Sequence, residues 1–129
     1  MFHYFDNAAT TQVRPEAARA ALEAMTAGWG NPSSVYSFGR EAAARVRGWR
    51  ADVSAALGCQ PEELYFTSCG TESDNWAVYG SLEANRRKGK HILTTAIEHA
   101  AVLEPCKALE AQGYEVTRLQ PDHQGRISP

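Results

Sequence analysis

Small and polar residues gather at one turn of the chain, Ser68-Cys69-Gly70-Thr71, between the apolar run LYFTS and a helical pattern. A glycine in such a turn lets the backbone approach a ligand closely. The first turn of the following helix offers unpaired N–H groups at the positive end of its dipole. These donors suit an anion such as a phosphate, and the Thr71 hydroxyl adds a further hydrogen bond. A structural alternative stays open, because Thr71-x-x-Asp74 also fits a helix-capping box.

A histidine takes the corresponding place after a second apolar run, HILTT at 91–95. Pro105 fits the first position of a helix well and fits one turn inside a helix poorly. We therefore expect His99 on a loop at the end of the strand, before a helix of roughly 102–112. A lone histidine in a loop is more often a plain surface residue, and that alternative also stays open.

The cysteines do not form a metal-binding pattern. Cys59, Cys69 and Cys106 are widely spaced, no C-x-x-C is present, and the four histidines lie far from them in sequence. No metal site is predicted, and each cysteine is interpreted as a small apolar residue in a reducing compartment. A helix N-terminus lowers the pKa of a thiol placed there, and Cys69 is predicted to lie at such a position. The alternative is that Cys69 is only a small side chain that the turn tolerates.

Alternating strand and helix patterns must position these residues. Apolar periodicity predicts helices at about 15–27 and 39–57, a helical stretch that follows the segment CGTESDN and runs to about 88, and a helix at roughly 102–112. Three apolar runs predict strands, at 64–68, 91–95 and 114–119. Strands alternating with helices over short connections predict a parallel sheet flanked by helices, which is an α/β fold. Ligands of such sheets bind beyond the carboxyl ends of the strands.

The composition is that of a soluble globular protein. The 129 residues, with 43% hydrophobic and 22% charged side chains and a net charge of −2, suggest a single domain without wholesale disorder. No excess of positive charge favours nucleic acid or an anionic membrane. No apolar run is long enough to span a bilayer, and the first residues lack a signal-peptide pattern. The expected location is the cytoplasm, with neither nucleic acid nor membrane as a partner.

Six segments, in order along the chain, resemble the cysteine desulfurases, the pyridoxal phosphate (PLP) enzymes that take sulfur from cysteine. They are YFDNAATT at 4–11, GNPSS at 30–34, FGREA at 38–42, FTSCGTESDN at 66–75, GKHILT at 89–94 and EHAAVL at 98–103. The resemblance implies the N-terminal portion of an aspartate aminotransferase-like large domain (PLP fold type I), with a mostly parallel sheet flanked by helices. Residues 1–14 would be an active-site arm, and residues 15–129 the first, incomplete part of the PLP-binding domain.

Carried over residue by residue, the resemblance assigns a cofactor site. Gly70 and Thr71 match the positions that hold the PLP phosphate. His99 matches the histidine that stacks on the pyridine ring and takes part in proton transfer, so the resemblance makes it a catalytic residue. Asn7, Ala8 and Ala9 match a loop near the substrate end of the cofactor.

The resemblance also implies a reaction and partners. L-cysteine would become L-alanine, and its sulfur would pass through an enzyme persulfide to an acceptor or scaffold protein, for iron–sulfur clusters or thio-cofactors. The complete enzyme would be a homodimer.

The chain departs from the family pattern in two essential groups. None of Lys88, Lys90 and Lys107 has the context of the lysine that carries PLP, and no cysteine matches the one on the persulfide loop. The 129 residues alone are therefore expected to be inactive. Alternatives are a selenocysteine lyase, another class V aminotransferase relative, and a non-catalytic protein or a half that needs a partner chain.

Overall fold

The computed structural model describes residues 3–128. Residues 1 and 2 of the predicted arm and residue 129 of the predicted large-domain segment lie outside the described residues. The elements are helices α1 (Pro15–Thr26), α2 (Ser37–Leu57), α3 (Gly70–Asn85) and α4 (Ala100–Glu110), strands β1 (His91–Thr95) and β2 (Glu115–Leu119), and a 3-10 turn at Pro61–Glu63. The chain divides between Tyr65 and Phe66 into two compact units.

The first unit contains α1 and α2. Pro15 begins α1 because the N–H that it lacks would have no partner inside the helix. α2 ends before Gly58, which adopts a left-handed conformation (φ 73°) that glycine enters without a steric penalty. Gly39 is buried in the first turn of α2, where a Cβ would collide with Ser34. These helices confirm the first two helical predictions.

The second unit is built around a parallel strand pair. β1 pairs with β2 in parallel, from His91 opposite Glu115 to Thr95 opposite Leu119. The helix α4 that connects them buries one face, consisting of Ala101, Pro105, Cys106 and Leu109. The predicted parallel α/β arrangement is confirmed for this pair. None of the helices in the described part of the chain is both long and apolar enough to cross a membrane.

An ion pair joins the end of α4 to β2. Both terminal nitrogens of Arg118 lie 2.7 Å from the two carboxylate oxygens of Glu110. The Arg118 guanidinium holds the pKa of the Glu110 carboxyl below its usual value. Bidentate geometry of this kind fixes orientation as well as distance, so the pair sets how β2 lies against its helix.

The predicted strand at 64–68 is wrong. Leu64 has extended backbone angles (φ −96°, ψ 125°), but no strand pairs with this run among the described residues. The Leu64 carbonyl accepts a hydrogen bond from the Arg50 guanidinium instead. An apolar run indicates a tendency to be extended and half-buried, whereas a strand also requires a partner. The described sheet therefore has two strands and not three.

The predicted start of the fourth helix is also wrong. α4 begins at Ala100, so Pro105 lies inside the helix and not at its first position. The third helix ends at Asn85, three residues before the predicted end, and a turn follows it. Helix ends are set by capping contacts that a periodic pattern does not contain.

The core of the second unit supports a stability prediction. Leu109 is 3% exposed and Leu93 is 64% exposed. We expect Leu109→Ala to lower the free energy of unfolding of the 129-residue chain by about 2–5 kcal/mol, because it leaves a cavity. Leu93→Ala removes the same atoms from an exposed position and serves as the control, with a much smaller loss. Urea unfolding followed by circular dichroism measures both, and equal losses would contradict the assigned core.

Candidate functional site

A cleft of about 460 Å³ lies between α3 and α4, within the second unit. Its α3 wall carries Thr71, Asn75 and Tyr79, which share one helix face because they are spaced four residues apart. The opposite wall is the start of α4, with His99, Ala100, Ala101, Glu104 and Pro105. Two residues predicted separately from the sequence, Thr71 and His99, thus line the same cleft.

One hydrogen bond joins the two walls. Pro105 has no backbone N–H, so the carbonyl of Ala101 lacks the donor that it would have in an uninterrupted helix. The side-chain Nδ2 of Asn75 lies 3.3 Å from that carbonyl oxygen and donates to it. The same nitrogen lies 2.8 Å from the carbonyl oxygen of Thr71, one turn earlier in α3. Asn75 therefore supplies a donor that the proline withholds.

His99 is the N-cap residue of α4, with extended backbone angles (φ −62°, ψ 152°). Its ring atom Nδ1 accepts a hydrogen bond from the backbone N–H of Ala101 at 3.1 Å. Its carbonyl oxygen accepts from the N–H of Val102 at 2.9 Å. The histidine therefore stands directly at the helix terminus, not on a loop remote from it.

The N-terminus of α3 is capped differently from the predicted box. Cys69 is the N-cap residue, so Thr71 lies inside the first turn, and the interpretation of Thr71 and Asp74 as a capping box is wrong. Glu72 is the carboxylate that turns back, and it accepts from the N–H of Ser68 at 2.6 Å. The helix starts two residues earlier than the box requires, and this leaves the Thr71 hydroxyl available to the cleft.

The turn at the start of α3 stabilises negative charge. The pKa of the Cys69 thiol is lowered, chiefly by the backbone N–H of Glu72 and then by the Ser68 hydroxyl, whose oxygen lies 3.8 Å from the sulfur. The pKa of the Glu72 carboxyl is also lowered, mainly by the N–H of Ser68. A Cβ at Gly70 would meet no atom within 4 Å. Donors and open space occur together here, and this combination suits an anion.

The remaining predicted site residues are Gly70 and the segment 7–9. Gly70 directly precedes Thr71 but does not line it. Asn7, Ala8 and Ala9 belong to the first unit and form an exposed turn, in which the Ala9 N–H donates to the Asp6 carbonyl at 3.1 Å. Their role near a substrate stays a prediction.

Among the cleft residues that sequence reasoning missed are two on α3, Asn75 and Tyr79. Both follow Thr71 at multiples of four residues, so the helical period alone placed them on the same face as the predicted phosphate-binding residue. Neither residue type suggested chemistry by itself, and the period was used only for apolar positions.

Comparison with known proteins gives a consistent family. Residues 3–129 match the family described as aminotransferase class-V. The cysteine desulfurase IscS of Methanosarcina thermophila is 52% identical over 126 residues, which are 98% of this chain and 31% of that protein. Cysteine desulfurase 2 of Trichormus variabilis is 48% identical over 124 residues, which are 96% of this chain and 31% of that protein.

Solved structures agree with the sequence relatives. A NifS-like protein superposes with a TM-score of 0.91 at 38% identity, covering 99% of this chain and 35% of that one. A structure described as SspA in complex with cysteine superposes with a TM-score of 0.87 at 33% identity. The match covers 97% of this chain and 36% of that one. The chain thus spans about a third of the length of its relatives. The resemblance to cysteine desulfurases and the α/β fold of PLP fold type I are confirmed.

The charge distribution at the turn predicts a reactive thiol. Because the pKa of Cys69 is lowered, its alkylation by iodoacetamide should reach half its maximal rate at a lower pH than alkylation of a cysteine in an unstructured peptide. Ser68→Ala removes one donor and should move this midpoint upward. Buried Cys106, whose pKa is raised by burial, is the slow internal comparison. Peptide mass spectrometry distinguishes the sites, and a Cys69 midpoint at or above that of the unstructured peptide would refute the assignment.

Proposed function

The chain belongs to the class V aminotransferase family, and on this premise we propose that it is the N-terminal portion of a PLP-dependent cysteine desulfurase. The proposed reaction converts L-cysteine to L-alanine and passes the sulfur, through a persulfide on the enzyme, to an acceptor or scaffold protein. The synthesis of iron–sulfur clusters or thio-cofactors would use this sulfur. The observation that carries the proposal is the cleft in which Thr71 and His99 meet at the N-termini of neighbouring helices.

The residues of the cleft fit PLP, whose phosphate and flat ring need different surroundings. The backbone donors that lower the pKa of Cys69 would meet a phosphate equally well, and the Thr71 hydroxyl adds a donor from the cleft wall. The imidazole of His99 offers a flat face for the ring. When bound, PLP supplies an electron sink for cleavage of bonds in an amino acid. The contribution of this chain is to hold and orient that group.

The remaining parts of the proposal concern substrate and assembly. SspA, a structural relative, is described as being in complex with cysteine, and this supports L-cysteine as the substrate class. Asn7, Ala8 and Ala9 are proposed to lie on the substrate side, as their match to the family loop implies. The complete enzyme is proposed to act as a cytoplasmic homodimer.

The reaction is tested with two lengths of polypeptide. We expect the full-length polypeptide that carries this sequence to release alanine and sulfide in equal amounts from L-cysteine, given PLP and a reductant. The 129-residue chain should not exceed free PLP, because no lysine in it has the context of the one that carries PLP. An inactive full-length protein would refute the proposed function. Alanine formation from selenocysteine, compared with that from cysteine, distinguishes a selenocysteine lyase from a cysteine desulfurase.

The Thr71 hydroxyl is tested in the full-length polypeptide. A hydrogen bond to a charged group is worth about 1.5–3 kcal/mol, so Thr71→Val should weaken PLP binding by roughly one to two orders of magnitude. Thr71→Ser keeps the hydroxyl and should lose much less. Because Cys69 is the N-cap residue, thermal stability without PLP should change little in either variant. Absorbance titration gives the affinities, and a valine variant that binds like wild type would show that the hydroxyl is not used.

A further inference from the structure

The two nitrogens of the His99 ring are in different situations. Nδ1 accepts the N–H of Ala101 at 3.1 Å and so caps the first turn of α4. Nε2 has no hydrogen-bond partner among the described residues, and the ring lines the cleft. A nitrogen that accepts a hydrogen bond must present its lone pair, so Nδ1 does not carry the proton of the neutral ring. The proton is therefore on Nε2.

We infer that His99 presents a fixed hydrogen-bond donor, Nε2–H, to the ligand, and that it does not act as a base while α4 is capped. Protonation of the ring would place a hydrogen on Nδ1, facing the N–H of Ala101. The inference rests on the proposed function for its ligand and assigns the ligand atom next to Nε2 as a hydrogen-bond acceptor.

The two carboxylates nearest to His99 in sequence already form an ion pair or a hydrogen bond with other side chains. Glu104 lines the cleft, but its Oε1 lies 2.5 Å from Nζ of Lys107. Glu98, which directly precedes His99, accepts a hydrogen bond from the Thr95 hydroxyl at 2.8 Å. The Nε2–H group is therefore left for the ligand.

Two substitutions separate the nitrogens in the full-length polypeptide. His99→Asn places a carbonyl oxygen near the position of Nδ1 and keeps a favoured N-cap residue, but it offers no donor near Nε2. His99→Gln places an amide N–H near the position of Nε2 and loses the cap. Both variants lose the aromatic ring, so any stacking contribution cancels when they are compared with each other.

The rate of hydrogen exchange at the Ala101 amide, measured without added PLP, reports whether the side chain at position 99 caps α4. We expect exchange at wild-type rates in His99→Asn and roughly five- to tenfold faster exchange in His99→Gln, which has lost its cap. The role of the hydrogen-bond donor at the position of Nε2 is tested by mixing the PLP-loaded protein with L-cysteine. The rate of the change in visible absorbance is then measured in a single turnover. We expect His99→Asn to be slower than wild type by about 10²–10³-fold, and His99→Gln to retain at least tenfold more of the rate.

Each arm has an outcome that overturns the inference. If His99→Gln is as slow as His99→Asn, the histidine is needed as a base or as a ring and not as a donor. If Ala101 exchanges equally in both variants, Nδ1 is not the cap, whether or not PLP binds. Wild-type protein that binds no PLP and forms no alanine would instead refute the proposed function, and the exchange measurement would still decide whether the side chain at position 99 caps α4.

Discussion

The cleft depends on the hydrogen bond from Asn75 to the carbonyl of Ala101. Pro105 removes the helical donor of that carbonyl, and a buried polar group without a partner costs about 1–3 kcal/mol. Asn75 satisfies the carbonyl from the neighbouring helix at 3.3 Å. Because α3 carries Thr71 and α4 follows His99, this contact ties together the two walls that carry these residues. A proline that would weaken an isolated helix therefore joins two helices into one site.

The residues at the two N-caps are unusual for that position. Serine, threonine, aspartate and asparagine are the common N-cap residues, whereas α3 begins after Cys69 and α4 after His99. A carboxylate at either position would cap strongly, but it would also repel an anionic ligand and occupy the donors of the first turn. A cysteine or a histidine places no carboxylate at these two caps. At α3 this leaves the positive end of the helix to the proposed phosphate, whereas at α4 the His99 ring itself accepts the N–H of Ala101.

Local sequence predicted the elements whose limits are set locally. Pro15 and Gly58 mark the ends of helices, and the apolar run at 91–95 coincides with β1. The family motifs placed Thr71 and His99 at one site, and the rule that ligands bind at the ends of parallel strands holds for His99, which follows β1. Two of the errors arose where the deciding partner is distant. A strand at 64–68 requires a neighbouring strand, and Pro105 is accommodated inside α4 by an asparagine 26 residues from the carbonyl to which it donates.

The pairing of β1 with β2 has a consequence for the order of assembly during synthesis. His91 pairs with Glu115, so only about 24 residues separate each pair of partners, and α4 takes up much of that length. Closing so short a loop costs little chain entropy compared with bringing together remote parts of a polypeptide. This strand–helix–strand unit is therefore expected to collapse soon after it leaves the ribosome, because nascent chains fold in units from the N-terminal side. His99 would then be set at its helix terminus before any segment synthesised later is available.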